Sequence, residues 1–230
     1  MDKSEILDFL MQNADISHAQ SMRRLGICGN ILGISLTALR RFAAKIKPDR
    51  RLALELFDLP YHEAKLLSTI IADKEEMTSE DIDSWTQKFY SWDLTDQACV
   101  NLYRYLPICN KKIFQYAESD EEFVRRTAFS LIAACSSDKK ISDETFLNYL
   151  PLIEKYSSDT RHYVYKAADW ALRSIGKRSI ALCPYAMNTA ELLAASGDKT
   201  QRKVGHKALR ELKKLGINNG FEYIGGLFQF

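Results

Sequence analysis

"SDEEFVRRTAFSLIAAC", residues 119–135, is the stretch on which the fold turns. A short polar turn through Asp120 leads into it. Phe123, Thr127, Leu131 and Cys135 then follow at four-residue intervals, with Val124, Ala128 and Ile132 beside them. That spacing lays one apolar stripe along an α-helix. Arg125 and Arg126 stand near the helix start. The same grammar returns in "SDTRHYVYKAADWALRSIG" from residue 158 and "GDKTQRKVGHKALRELKKLG" from residue 197. Each copy has a polar turn with Asp, a basic pair or near-pair, and then a run of small and apolar residues. Aligned on Arg126, Lys166 and Lys203, the copies are 40 and 37 residues apart.

A period near 40 residues is that of HEAT-type helix pairs, in which each hairpin buries its apolar face on its neighbours. A weaker copy lies at "LPYHEAKLLSTIIAD", 59–73. Sustained alternation of period two is missing. The expectation is an all-α, HEAT-like helical-repeat solenoid over residues 1–230, with about a dozen helices. It would curve, presenting a concave basic face, with an N-terminal helix over 1–16 and a C-terminal tail over 217–230. "TSED" (78–81) and "SDET" (142–145) read as helix starts with early negative charge. Gly176 and Gly216 stand where C-terminal caps belong. No stretch reads as a linker. Five prolines and ten glycines in 230 residues argue against a turn-rich β protein.

The net charge of +2 says little about partners, but its distribution says more. Residues 73–96 carry eight acids and two bases, whereas residues 161–214 carry twelve Lys/Arg and four acids. A basic C-terminal third suits a polyanion. The repeated cations lie near helix N-termini, where phosphate is favoured. The five cysteines are scattered without a CxxC and read as reduced thiols rather than metal ligands. "HEAK" at 62–65 opens like a zinc-protease signature, but Leu66 stands where the second histidine belongs. No metal or cofactor is expected. No apolar run is long enough for a membrane span, and no secretory signal is legible. The expected location is therefore the cytoplasm.

"SWDLTD", residues 91–96, has the local grammar of a helix start. Asp93 reads as the N-cap, Asp96 as first-turn charge and Trp92 as a hydrophobic staple. Yet "SWDLTDQACVNL" (91–102), "EEFVRRTAFSLIA" (121–133) and "YVYKAADWALRSIGK" (163–177) together resemble the AlkD-like family of DNA alkylation-repair proteins. These are HEAT-like-repeat glycosylases that remove cationic alkylpurines. The resemblance covers roughly residues 20–215. It rests on a W-D-x-x-D element and a K-A-x-x-W-x-L-R element flanking an R-R-x-A helix.

The resemblance implies that Asp96 is the catalytic carboxylate, and that Trp92 and Trp170 are the aromatics facing the substrate. It implies that Arg126 contacts the DNA backbone, with Arg125 beside it. Lys166, Arg173, Arg202 and Lys203 complete the nucleic-acid-binding set on the two later repeats. The implied partner is double-stranded DNA with alkylated bases, bound by a monomer without an enclosed base-flipping pocket. A bacterial-type protein of this kind would be nucleoid-associated when bound to DNA. The chemistry suits the residues. An alkylated purine is a cationic leaving group that needs little acid catalysis, and a nearby carboxylate stabilises the positive charge that builds on the sugar. Indole faces add cation–π attraction.

"GNILGISLTALRRFAAKIK" (29–47) resembles the family's glycine turn and the Arg-bearing helix after it. Only fifteen residues separate Arg41 from Phe57. Family glycosylases have about one helix more in this interval. The alternative reading is therefore a non-catalytic HEAT-like module that binds DNA of special structure, or a protein scaffold.

Overall fold

The structure, a computed structural model, describes residues 1–218, 222–224 and 227–229, with side chains described through residue 214. The architecture is all-helical and HEAT-like. Fourteen α-helices are seen among the described residues, and a short antiparallel pairing of Glu222–Ile224 with Leu227–Gln229 follows them. That pairing falls in the expected tail, whose residues 217 and 218 end the last helix; residues 219–221, 225–226 and 230 lie outside the described residues. The chain gathers into two compact units, one from Met1 to Cys109 and one from Asn110 onward.

In the first unit, α1 (Lys3–Gln12), α2 (Ile16–Arg24), α3 (Leu36–Ala43), α4 (Arg50–Phe57), α5 (His62–Ile71), α6 (Ser79–Gln87) and α7 (Trp92–Asn101) follow one another. Helix α5 is the hub, packed against α3, α4 and α7. The helix expected over 1–16 spans Lys3–Gln12, and the next begins at Ile16. Asp15 lies between them: its carboxylate accepts from the His18 amide at 3.0 Å, capping α2, while its own amide donates to the Leu32 carbonyl at 2.8 Å. The interval from Arg41 to Phe57 holds all of α4, capped by Asp49. "TSED" forms a capping box in which Thr78 and Asp81 satisfy each other's amides.

The second unit contains α8 (Cys109–Ala117, whose first residue closes the first unit), α9 (Glu122–Cys135), α10 (Asp143–Leu147), α11 (Leu150–Tyr156), α12 (His162–Arg178), α13 (Cys183–Ala194) and α14 (Lys199–Asn218). Helix α12 is the hub, packed on α9, α13 and α14. The three repeated stretches are α9, α12 and α14, and Arg126, Lys166 and Lys203 are each the fifth residue of their helix. The apolar stripe of α12 is fully buried at Val164, Ala167, Ala171 and Ile175. Ser142 caps α10, as "SDET" predicts. Gly176 does not cap α12, which continues to Arg178. Instead a Cβ there would come within 2.6 Å of Leu212 Cδ2 and 3.1 Å of Ala186 Cβ, so its bare backbone lets α13 and α14 approach. Gly216 likewise lies within α14. No helix among the described residues is long and apolar enough to cross a membrane.

The turns that precede the repeated helices are tied to one another. Arg125 donates to Asp159 at 2.7 Å, to Asp120 at 3.2 Å and to the Ala117 carbonyl at 3.1 Å. Arg161 closes on Asp159 and on the Asp120 carbonyl. Burial alone would raise the Asp159 carboxyl, but bonds from Arg161, Arg125 and the Arg161 amide outweigh it and hold it down at about 2. The folded chain thus keeps this carboxylate ionised to about pH 2, and the unfolded chain only to about pH 4. The resulting stability is complete above about pH 4 and is lost as pH falls through about 2. After allowance for solvent screening, Asp159→Asn is expected to be less stable by about 1–2 kcal/mol at pH 7. The gap should narrow between pH 4 and pH 2 in urea melts. A gap that stays constant across that window would show that the carboxylate charge is not its source.

Candidate nucleic-acid interface

Helix α7 starts two residues earlier than its sequence suggests. Ser91 is the N-cap residue, without a side-chain cap bond, and Trp92 is the first helical residue. Asp93 is therefore not the N-cap. Its carboxylate accepts from Ser91 Oγ and lies 2.7 Å from His62 Nε2. A carboxylate only accepts, so Nε2 carries the proton. His62 Nδ1 lies 3.1 Å from the Tyr90 hydroxyl, and His62 is fully buried. Burial pushes the Asp93 carboxyl up, but the His62 and Ser91 bonds outweigh it and hold it below the usual range. Burial, with the Asp93 and Glu63 carboxylates nearby, raises the Tyr90 phenol well above its ordinary value. This buried cluster clamps the start of α7 to the start of α5.

Trp92 is half-buried, packed on Ala19, Met22, Ile27 and Ile31. Its Nε1 donates to the Leu25 carbonyl at 3.2 Å. The indole is thus fixed by the irregular segment between α2 and α3. Asp96 lies one turn further along α7 and is half-exposed. The next residue, Gln97, accepts from Arg40 Nη2 of α3 at 3.1 Å.

The neighbouring residue of "HEAK", Glu63, is a fully buried anchor for that irregular segment. Its Oε1 accepts from the Gly33 amide at 2.7 Å and the Ile34 amide at 3.2 Å, and its Oε2 from the Leu32 amide at 2.9 Å. Gly33 has φ +90°, and a Cβ there would meet the Asp15 carbonyl oxygen at 2.0 Å. Sequence reasoning missed both His62 and Glu63. The glycine pattern of 26–33 was the available signal, because a strained loop needs amide acceptors from elsewhere.

In the second unit, four of the six cations expected at the interface are engaged within the protein. Arg126 is only 5% exposed, and its Nη1 donates to the Tyr163 carbonyl at 2.6 Å. Arg125 staples the repeat turns as described. Arg173 donates to Asp169 through Nε and Nη2, both at 3.0 Å, and to Glu211 at 3.0 Å. Burial alone would lower the Arg173 guanidinium, but those bonds raise it. Arg202 donates to the carbonyls of Ser196 and Gly197 at 2.9 and 2.7 Å. The basic surplus of 161–214 is further consumed by Arg178, which is buried and bonded to Asp143 and to the carbonyls of Ser136, Asp138 and Ile141.

Lys166 and Lys203 differ. Both are exposed, and neither has an ion pair among the described residues. They share a groove of about 260 Å³ between α12 and α14, lined also by Tyr165, Asp169, Val204 and Lys207. Trp170 is half-buried on α12 one turn beyond Lys166 and does not line that groove. Along α14, Lys199, Lys203, Lys207, Arg210 and Lys214 share one helix face. At about 1.5 Å per residue they span about 22 Å.

A model of the DNA alkylation repair enzyme family matches residues 6–214. No curated protein matches the chain. Among solved structures, one is described as a new family of proteins related to the HEAT-like repeat DNA glycosylases with affinity for branched DNA structures. It has a TM-score of 0.81 at 18% identity, over 96% of this chain and 95% of that one. An engineered protein has a TM-score of 0.41 at 15% identity, over 77% of this chain and 84% of its own. A designed armadillo repeat protein has a TM-score of 0.36 at 16% identity, over 76% and 92%. The first of these shows a shared fold.

Proposed function

The chain belongs to the DNA alkylation repair enzyme family, and we propose that it hydrolyses the N-glycosidic bond of cationic alkylated purines, of the 3-methyladenine and 7-methylguanine type, in duplex DNA. The observation that carries this reading is Asp96. It is a half-exposed carboxylate on a helix whose start is clamped by a buried His62–Asp93 pair. A charge held on a rigid element is what stabilises a developing cation without reorganising in the reaction.

In this reading the reaction needs little from the protein beyond placement. The alkylated base leaves as a neutral purine, taking the bond electrons, while positive charge develops on the deoxyribose. Asp96 stabilises that charge and orients the water that adds to the sugar. Trp92, one turn before Asp96 on α7, supplies an aromatic surface for the cationic sugar. Lys166 and Lys203 contact phosphates. Arg126 acts as a positioning residue, because it holds the Tyr163 carbonyl at the start of α12. The test is base release from alkylated duplex DNA by protein in excess. Release no greater than in buffer overturns the catalytic reading.

A second reading has its own support. Arg125, Arg126, Arg173 and Arg202 are bonded internally, while Lys166 on α12 and Lys199, Lys203, Arg210 and Lys214 on α14 are exposed. That arrangement favours a DNA-binding member that grips strands without cleaving the glycosidic bond. The structural relative with affinity for branched DNA supports the same reading. It predicts salt-sensitive DNA binding with no base release.

A further inference from the structure

We infer that the groove between α12 and α14 takes an unpaired nucleotide of a DNA strand, with its phosphate between Lys166 and Lys203 and its base against Tyr165. The inference rests on the DNA-binding reading and names what one part of the surface binds. Three features of the groove carry it.

The first is size. At about 260 Å³ the groove is smaller than the roughly 300–1,000 Å³ of sites that enclose a drug-sized ligand. A groove of that size suits a single nucleotide better than a base pair. A duplex would ride over it, whereas a single strand can enter it.

The second is charge. Lys166 comes from α12 and Lys203 from α14, so an anion in the groove is gripped from both walls. Asp169 is the one carboxylate in the lining, and it is 2% exposed. Arg173 binds both of its oxygens and Lys207 adds a third cation contact, so it does not present an open negative charge to the groove. Lys207 is thereby used, and Lys166 and Lys203 are left for the ligand.

The third is the aromatic wall. The Tyr165 hydroxyl bonds to His162 Nδ1 at 3.0 Å, which holds the ring in place. Lys203 Nζ sits 5.7 Å from the ring centroid. A ring beside phosphate-binding cations is the usual arrangement for single strands, where unstacked bases find a π-face. Duplex DNA keeps its bases stacked and gains nothing from Tyr165.

The test compares binding of fluorescent DNA by fluorescence anisotropy, using a blunt duplex and the same duplex with an unpaired single-stranded arm. Tyr165→Ala should weaken binding to the arm-bearing DNA by about 5- to 100-fold and to the blunt duplex by less than about twofold. Tyr165→Phe keeps the π-face but loses the bond to His162, so on the arm-bearing DNA it should lose much less than Tyr165→Ala does, and on the blunt duplex it should bind as wild type does. Replacing Lys166 and Lys203 by Gln should flatten the salt dependence on the arm-bearing DNA by about 1.4 in log–log slope. Equal losses on both DNAs, or none on either, would overturn the inference and leave the DNA-binding reading intact. Wild-type protein that binds neither DNA would overturn both.

Discussion

Glu63→Ala is expected to destabilise the protein by about 3–5 kcal/mol, the largest stability loss among the substitutions considered. The magnitude follows from what the carboxylate holds. Three backbone amides, of Leu32, Gly33 and Ile34, point at its two oxygens. They lie between α2 and α3, where no helix ladder can take them over. Each buried donor left without an acceptor costs about 1–3 kcal/mol. Removing a buried charge gives part of that back, which keeps the total below the simple sum. Glu63→Gln retains one carboxamide oxygen and turns an NH₂ toward the remaining amide, so its expected loss is smaller, about 1–3 kcal/mol. Urea unfolding of both variants checks the order. A loss under about 1 kcal/mol for Glu63→Ala would show that the segment re-forms its bonds without the carboxylate. The consequence extends to the candidate site. Ile27 and Ile31 belong to this segment, and Trp92 rests on them and on the Leu25 carbonyl. Loosening the segment should therefore release the indole, visible as a red shift and lower anisotropy of tryptophan fluorescence.

What could be read in the sequence was local. Apolar stripes at four-residue spacing place α9 and α12 correctly, because a helix face depends only on residues one turn apart. "TSED" and "SDET" mark helix starts for the same reason: the capping partners are three residues apart. The failures concern partners far along the chain. Asp93 looks like a cap, but its carboxylate meets His62, 31 residues earlier. "HEAK" looks like a broken metal motif, while Glu63 serves amides about 30 residues before it. The basic C-terminal third overstates the open charge. Arg173, Lys177, Arg178 and Lys207 find carboxylates 34 to 38 residues away, about one repeat period. A repeat protein places equivalent positions of successive repeats side by side, so this pairing is a property of the fold. Composition counts such charges without showing that they neutralise each other. Lys166 and Lys203 differ because no carboxylate pairs with either among the described residues.

Asp96→Asn is expected to lower base release from alkylated duplex DNA by about 10²- to 10³-fold, the loss seen when one stabilising group is taken from a developing charge. Asparagine preserves size and helix position but removes the charge, so the variant isolates electrostatics from packing. DNA affinity should move the other way or stay level. Removing a negative charge from a surface approached by phosphates cannot weaken a polyanion's binding electrostatically. The signature is thus a fall in single-turnover release with unchanged or tighter Kd. A residue with a purely structural role gives a different pattern, in which stability and affinity fall together. Asp96→Asn that releases base as fast as wild type would remove Asp96 from the mechanism even if the protein is a glycosylase. Trp92 provides an independent check, because its indole is fixed by the Leu25 carbonyl and four apolar side chains. Trp92→Phe keeps an aromatic face but loses the bond to Leu25. It should reduce release less than Asp96→Asn does, since an exposed cation–π contact is worth about 0.5–1 kcal/mol, roughly two- to fivefold in rate. The reverse order would place the rate-determining contribution in the aromatic surface rather than in the carboxylate.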